Sequence, residues 1–161
     1  MEALENITYD ELEIGDSATY TRTLTEEELI LFAAVSGDTS PLNLDTENAS
    51  KSTFRDRIAH GMWSGSLISA ALANVIPGPG TIYLEQSLNF QLPVKLHDTL
   101  TVQLTVARKE PANRVVLDCD VRNQEGDVVV SGEAKVIAPS EKITLDRPRL
   151  PRITIGKMPD A

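Results

Sequence analysis

The sequence is poor in the residues from which many common sites are built. It contains one cysteine, Cys119, and two histidines, His60 and His97, among 161 residues. A lone cysteine cannot close an internal disulfide, and two histidines without a partner at ligand spacing argue against a histidine-built metal centre. We therefore expect no metal site and a reducing, cytoplasmic setting, in which Cys119 is a buried structural thiol.

Basic charge is scarce as well. The chain carries 15 lysines and arginines against 24 acidic residues, which gives a formal net charge of −9. This excess argues against nucleic acid or an anionic membrane as the main partner. One basic cluster stands out, formed by Lys51, Arg55 and Arg57. It is either a solvated face or an anchor for the phosphates of a ligand.

Long apolar runs are almost absent, and the one exception spans residues 58–76. This stretch contains no lysine, arginine, aspartate or glutamate. Serines, a histidine and an asparagine interrupt it, which favours a buried helix over a membrane span. His60 and Gly61 stand at its N-terminal end, where unpaired N–H groups and the positive end of the helix dipole suit a carbonyl oxygen.

The rest of the chain shows strand periodicity. Alternating apolar and polar residues predict five strands, at 17–24, 82–90, 99–108, 114–123 and 128–137. A capping box at Thr25–Glu28 predicts a short amphipathic helix, with Leu29, Phe32, Ala33 and Val35 as its apolar residues, that Gly37 ends. The economical packing is an α+β fold, in which an antiparallel sheet wraps around the central helix. We expect residues 1–139 to form this domain and residues 140–161, rich in proline and basic residues, to form a tail or linker.

Three separated segments, Gly37–Asp45, Ile58–Met62 and Gly80–Val94, resemble the MaoC-like (R)-specific enoyl-CoA hydratases. The resemblance covers about residues 10–139. It implies the hot dog fold, a homodimer or higher oligomer with its pocket between subunits, an acyl-CoA substrate and no cofactor. Within the family, the chain is similar to the hydratase-like domain that other proteins fuse to a phosphate acetyltransferase.

The resemblance also implies roles for a loop before the helix. The family's hydration motif runs Asp, any residue, Asn, Pro, any residue, His. Asp38 and Pro41 match this motif, whereas Ser40 stands in place of the asparagine and Asn43 in place of the catalytic histidine. An amide neither gains nor loses a proton near neutral pH, so Asn43 can orient a water but cannot act as a base.

On the helix, Gly61 matches the glycine whose N–H holds the thioester oxygen, and Ser69 matches a serine near the catalytic pair. We assign His60, Met62 and the basic cluster to substrate binding. His60 has a structural role by resemblance, with a substitute base as the alternative.

These features lead to three functional hypotheses. The first is (R)-specific hydration of trans-2-enoyl-CoA to 3-hydroxyacyl-CoA, impaired because Asn43 replaces the histidine. The second is a non-catalytic acyl-CoA binding or partner module. The third is an acyl-CoA thioesterase, which is disfavoured because the central helix has no carboxylate.

Overall fold

The computed structural model describes residues 2–50 and 56–157. The elements in chain order are β1 (Ala3–Glu5), β2 (Ser17–Thr23), α1 (Glu26–Ser36), α2 (Pro41–Leu44), α3 (Thr46–Ser50), α4 (Gly61–Asn74), β3 (Ile82–Phe90), β4 (Thr99–Glu110), β5 (Arg114–Arg122), β6 (Val128–Ile137) and β7 (Thr144–Asp146).

Five of the strands form one antiparallel sheet in the order β2-β4-β5-β6-β3. The strand predictions are confirmed, and β3 and β6 have the predicted bounds. In β4 the predicted alternation places Leu100, Val102, Leu104 and Val106 in the core. Because side chains alternate between the two faces of a strand, one face of the sheet is apolar and covers the helix.

Helix α4 lies against this apolar face, which confirms the α+β hot dog arrangement. Trp63, Leu67, Ile68 and Leu72 are buried between the helix and the sheet. The helix is not enclosed on every side within one chain, since a stripe containing Met62, Ser66, Ser69 and Ala73 remains exposed. Within residues 2–50 and 56–157, no helix is long and apolar enough to cross a membrane.

Helix α1 begins and ends as predicted. The Thr25 hydroxyl accepts the Glu28 N–H at 3.3 Å, and Gly37 ends the helix in the left-handed region with a φ of 79°. The expected apolar face is partly wrong, because Leu29 and Ala33 are buried while Val35 is 87% exposed. Val35 lies two residues beyond Ala33, which turns it by about 200° to the outer face.

The region after residue 139 is only partly a free tail. Strand β7 pairs with β1, and the buried Asn6 side chain fixes both strands to the domain. Its amide nitrogen donates to the carbonyl oxygens of Pro79 and Glu141, and its amide oxygen accepts the N–H of Ile143. Irregular structure begins at Arg147. The domain boundary at residue 139 stays a prediction.

Candidate active site

The site forms where a short extended segment enters α4. The Ile58 N–H donates to Leu42 O at 3.2 Å, and the Ala59 N–H donates to Val94 O at 2.7 Å. The segment therefore joins the loop that carries the hydration motif to the chain that follows β3. Gly61 begins the helix directly afterwards, so the motif loop and the helix N-terminus meet at one place.

Asp38 and His60 are brought together here. The His60 Nε2 lies 2.9 Å from the Asp38 carbonyl oxygen. Because a carbonyl oxygen only accepts, Nε2 is the nitrogen that carries the proton. His60 is 4% exposed, and its ring centroid lies 5.1 Å from that of Phe32. His60 thus acts as a buried support that holds the backbone of the Asp38 loop against the helix.

The Asp38 carboxylate itself faces solvent. Its Oδ1 accepts the Ser40 N–H at 3.1 Å, which is the Asx turn that such a loop favours. This turn uses one carboxylate oxygen as an acceptor and gives the carboxylate a fixed direction. A carboxylate that is positioned yet open to solvent can accept a proton from a bound water.

Asn43 is 5% exposed and sits at the centre of this junction. Its Nδ2 donates to the Ile58 carbonyl oxygen at 2.6 Å. An imidazole in this position would donate one ring N–H to the same carbonyl and leave the second nitrogen as a base. Asn43 therefore retains the donor of the family's histidine and presents an amide oxygen in place of the basic nitrogen.

Gly61 begins the helix, and its N–H and that of Met62 have no helical acceptor, whereas the Trp63 N–H donates to the His60 carbonyl at 2.9 Å. The Gly61 Cα is open, because a Cβ built there would lie no closer than 3.8 Å to the Phe90 ring. A carbonyl oxygen can therefore approach the helix N-terminus. A cavity of about 330 Å³ adjoins this point, and His60, Gly61 and the buried Ser64 contribute to its wall.

A larger cavity of about 540 Å³ runs between α4 and β3, and we call it the helix cavity. Met62, Ser66 and Ser69 line it from successive turns of α4. Gly65 also lines it, and a Cβ there would lie 2.9 Å from the Met62 Cε, so that the flexible end of this side chain would have to shift. Ser69 thus lies along the cavity, about two turns after Gly61, and its role near the catalytic pair stays a prediction.

The far wall of the helix cavity is polar. Tyr83 and Gln86 hydrogen bond to each other there, and the Gln86 amide also approaches the Cys119 Sγ at 3.8 Å. Burial raises the pKa of Tyr83 to about 12 and that of Cys119 to about 11. Both groups are therefore neutral at physiological pH, which confirms Cys119 as a buried thiol rather than a nucleophile.

The basic cluster is only partly visible. Arg57 pairs with Glu26 at 3.0 Å, while Lys51 and Arg55 lie outside the described residues. The phosphate-anchoring role of the cluster stays a prediction. Among the residues that the structure describes, no three histidine, cysteine or acidic side chains are grouped so that they could hold a metal ion.

Three contributors were missed by the sequence analysis. Phe32 packs on His60, the Ile58 carbonyl holds Asn43, and Gly65 lines the helix cavity. Gly65 had a signal, because it follows Gly61 by one helical turn and so lies on the same face. The other two depend on long-range contacts that no local pattern reveals.

Comparison with known proteins places this geometry in a family. The family model described as "MaoC like domain" matches residues 13–127. The chain belongs to the MaoC-like domain family.

Members with close sequences have names that concern enoyl thioesters. The chain is 39% identical over 132 residues to the (R)-specific enoyl-CoA hydratase of Rhodospirillum rubrum, covering 82% of this chain and 92% of that one. It is 40% identical to the Aeromonas caviae enzyme of the same name, covering 80% and 96%. The solved structure of R-hydratase PhaJ1 from Pseudomonas aeruginosa, in its unliganded form, has 54% identity and a TM-score of 0.95, covering 96% and 100%.

Proposed function

We propose that the chain hydrates trans-2-enoyl-CoA to (R)-3-hydroxyacyl-CoA at the N-terminus of α4, slowly and without a cofactor. The observation that carries the proposal is the junction itself, where Asn43 bonds to the Ile58 carbonyl and His60 to the Asp38 carbonyl, so that the motif loop lies against the segment that leads into Gly61. The (R)-specific hydratase names of the R. rubrum, A. caviae and P. aeruginosa relatives support it.

The reaction adds one water molecule across the double bond. The water oxygen bonds to Cβ, its proton passes to the Asp38 carboxylate, and the π electrons move towards the thioester oxygen. The N–H groups at Gly61 and the helix dipole stabilise the enolate-like oxygen without a charged side chain. A proton then returns to Cα, so that no net charge is gained and no redox partner is required.

Asn43 sets the expected speed of this reaction. It holds a water through its amide oxygen but cannot share the proton transfer. A positioned acid–base group contributes roughly 10²- to 10⁴-fold to a rate, or about 3–5 kcal/mol. We therefore expect a hydratase that is slower by this factor than one with a histidine at the same place, with Asp38 as its remaining proton acceptor.

The test follows the loss of the enoyl thioester absorbance of crotonyl-CoA, with chiral analysis of the product. We expect (R)-3-hydroxybutyryl-CoA at a rate above the blank, abolished by Asp38→Asn. The matched control is Asp98→Asn, a change of the same type in a turn that is distant in sequence from the motif loop. A rate equal to the blank, unchanged by Asp38→Asn, would refute hydration.

Asn43 and Ser40 also favour a second candidate, a non-catalytic acyl-CoA binding or partner module. Both departures replace polar side chains of the family motif by other polar side chains, and the one at position 43 cannot accept a proton, while the fold and the helix N-terminus are retained. This candidate is distinguished by calorimetry, which would detect binding of crotonyl-CoA and of its saturated analogue with no turnover of the former. Release of free CoA thiol would instead indicate a thioesterase.

The proposal includes a homodimer that forms through β3. This strand lies at one edge of the sheet, and Ile82, Tyr83, Leu84 and Phe90 along it are exposed. An exposed apolar edge strand is a template for pairing with another strand. Pairing there would also cover the helix cavity and the exposed stripe of α4. Light scattering should give the mass of at least two chains, and the mass of a monomer would contradict the proposed homodimer.

The setting of the reaction is also part of the proposal. A free thiol that is the chain's one cysteine supports a reducing, cytoplasmic environment. Cell fractionation would test it, and recovery outside the cytoplasm would contradict it.

A further inference from the structure

The C-terminal arm, residues 147–157, differs from the rest of the chain in charge and in contacts. It carries four basic residues and no acidic one, whereas all 24 acidic residues lie elsewhere in the chain. Arg147 is still tied to Glu2, through its N–H at 3.1 Å from the Glu2 carbonyl. Within the part of the chain that the structure describes, residues 148–157 form no hydrogen bond or ion pair.

The arm nevertheless has the features of a binding segment. Leu150 is 83% exposed and Ile153 is 58% exposed. Pro148 and Pro151 fix their own φ angles, so the arm loses less conformational entropy when it is immobilised. Eleven extended residues span up to about 35 Å, which is enough to reach a neighbouring subunit.

A second observation indicates that another protein surface holds such an arm in place. The PhaJ1 structure covers 96% of this chain, so about six residues are left unmatched, fewer than the eleven of the arm. Part of the arm therefore has an ordered counterpart in a solved structure. An extended segment without internal hydrogen bonds is ordered when another surface binds it.

A surface that complements the arm lies on the outer face of α1. A groove of about 430 Å³ runs between α1 and α4, with the exposed Leu31 and Val35 on its rim. Arg22 and Glu28 also line the groove and pair with each other, and Glu26 pairs with Arg57. The exposed Glu27 forms no ion pair among the described residues and lies one turn before Leu31 on the same face of α1. We call this surface the α1 groove. It offers apolar contacts and the Glu27 carboxylate, where the arm offers apolar side chains and positive charge.

We infer that the C-terminal arm of one subunit docks in the α1 groove of a second copy of the chain. The pairing is between copies, because in one chain both Leu150 and Val35 stay exposed and neither covers the other. Leu150 and Ile153 pack beside Leu31 and Val35, and Arg149 and Arg152 of the arm face Glu27. This exchange of identical segments gives a closed, two-fold arrangement.

The docked arm also acts on the partner's candidate active site. Phe32 lines the α1 groove and packs on His60, the ring that holds the Asp38 loop. Ser66 lines both the α1 groove and the helix cavity. An arm seated in the groove therefore covers the outer side of the residues that support the motif loop. The inference itself does not depend on which reaction occurs there.

Cysteine cross-linking between two full-length chains of different mass tests the inference. One chain carries Leu150→Cys, and a tagged chain expressed with it carries Val35→Cys. A disulfide requires Cα atoms within about 7 Å, so it reports true proximity. The native Cys119 is 3% exposed and does not compete. We expect a mixed covalent dimer under mild oxidation.

The matched control replaces Val35→Cys by Ile14→Cys, at another exposed aliphatic position. The Val35 pair should give a several-fold higher yield than the Ile14 pair. Arg149→Glu with Arg152→Glu should lower the yield, and Glu27→Lys in the tagged chain should restore it. Equal yields for the two pairs, no mixed product, or no effect of either charge change would overturn the inference.

Discussion

Replacing Asn43 by histidine should convert a slow site into a fast one. The Asn43 Nδ2 donates to the Ile58 carbonyl at 2.6 Å, and a histidine ring N–H can take over this bond. The second ring nitrogen then faces the water as a base beside Asp38. The expected gain in kcat is roughly 10²- to 10⁴-fold, which corresponds to about 3–5 kcal/mol of transition-state stabilisation.

The loss of folding stability that Asn43→His causes can be bounded. Asn43 is 5% exposed, so the larger ring must be accommodated in a packed junction. Overpacking of this kind costs about 1–3 kcal/mol, against about 5–15 kcal/mol of stability for a domain. The variant should therefore fold, with a lower denaturation midpoint. Circular dichroism during urea unfolding measures this change alongside the activity.

The assay is the crotonyl-CoA hydration rate as a function of pH. A histidine base must be neutral, so the gained rate should be present above its pKa, near 6.5 for an unperturbed imidazole, and should fall as the pH decreases through it. The matched control is Asn43→Gln, an amide that does not titrate. Adding Asp38→Asn to the histidine variant should remove the gain.

Two results would refute this reasoning. If Asn43→His folds and binds crotonyl-CoA but turns it over no faster than the native chain, position 43 does not face the reacting atoms. If Asn43→Gln gains as much rate as the histidine variant, proton transfer is not what Asn43 lacks.

Three further predictions follow from single side chains. His60→Gln keeps a donor for the Asp38 carbonyl and should retain the hydration rate, whereas His60→Ala should lower that rate about tenfold, which is the worth of one hydrogen bond. Equal losses of rate in the two variants, together with a changed pH profile, would show that His60 acts as a base. Cys119 has a pKa of about 11 in the folded chain, whereas a thiol in the urea-unfolded chain has its usual pKa near 8.5. At pH 8, Ellman's reagent should therefore label Cys119 about 200-fold more slowly in the folded chain than in the unfolded chain, and equal labelling rates would contradict the burial of Cys119. Leu104→Ala should lower the free energy of unfolding, measured in urea, by about 2–5 kcal/mol because Leu104 is fully buried. The control Gln103→Ala, at an exposed position, should leave it almost unchanged, and a small loss for Leu104→Ala would contradict the assigned core.

The fold was predictable because its determinants are local. Alternation in β4 and β5 fixes which face is buried, and a run without charged residues identifies the helix that this face covers. Val35 was misplaced because a short apolar helix such as α1 has little contrast between its faces. Strand β7 was missed because three exposed residues have no burial periodicity, and their position depends on Asn6.

The residues of the candidate site could be predicted from the sequence, but the hydrogen bonds between them could not. Asp38, Asn43 and Gly61 come from a motif, and the structure brings their segments together. The bonds that hold them run from Asn43 to Ile58 and from His60 to Asp38, over separations of 15 and 22 residues. Such contacts depend on tertiary packing. Ser69 lines the helix cavity, and its placement near the catalytic pair stays a prediction.

The two substitutions in the motif affect the site unequally. Position 43 is buried and bonded, and the donor there is preserved, so the architecture of the junction survives the loss of the histidine. Position 40 lies in the exposed turn, where its backbone N–H, rather than its side chain, holds the Asp38 carboxylate. Any residue except proline provides this N–H, so Ser40 alone should cost little. The rate of the proposed hydration should therefore depend on position 43, where an amide stands in place of the motif's proton-accepting histidine, more than on position 40.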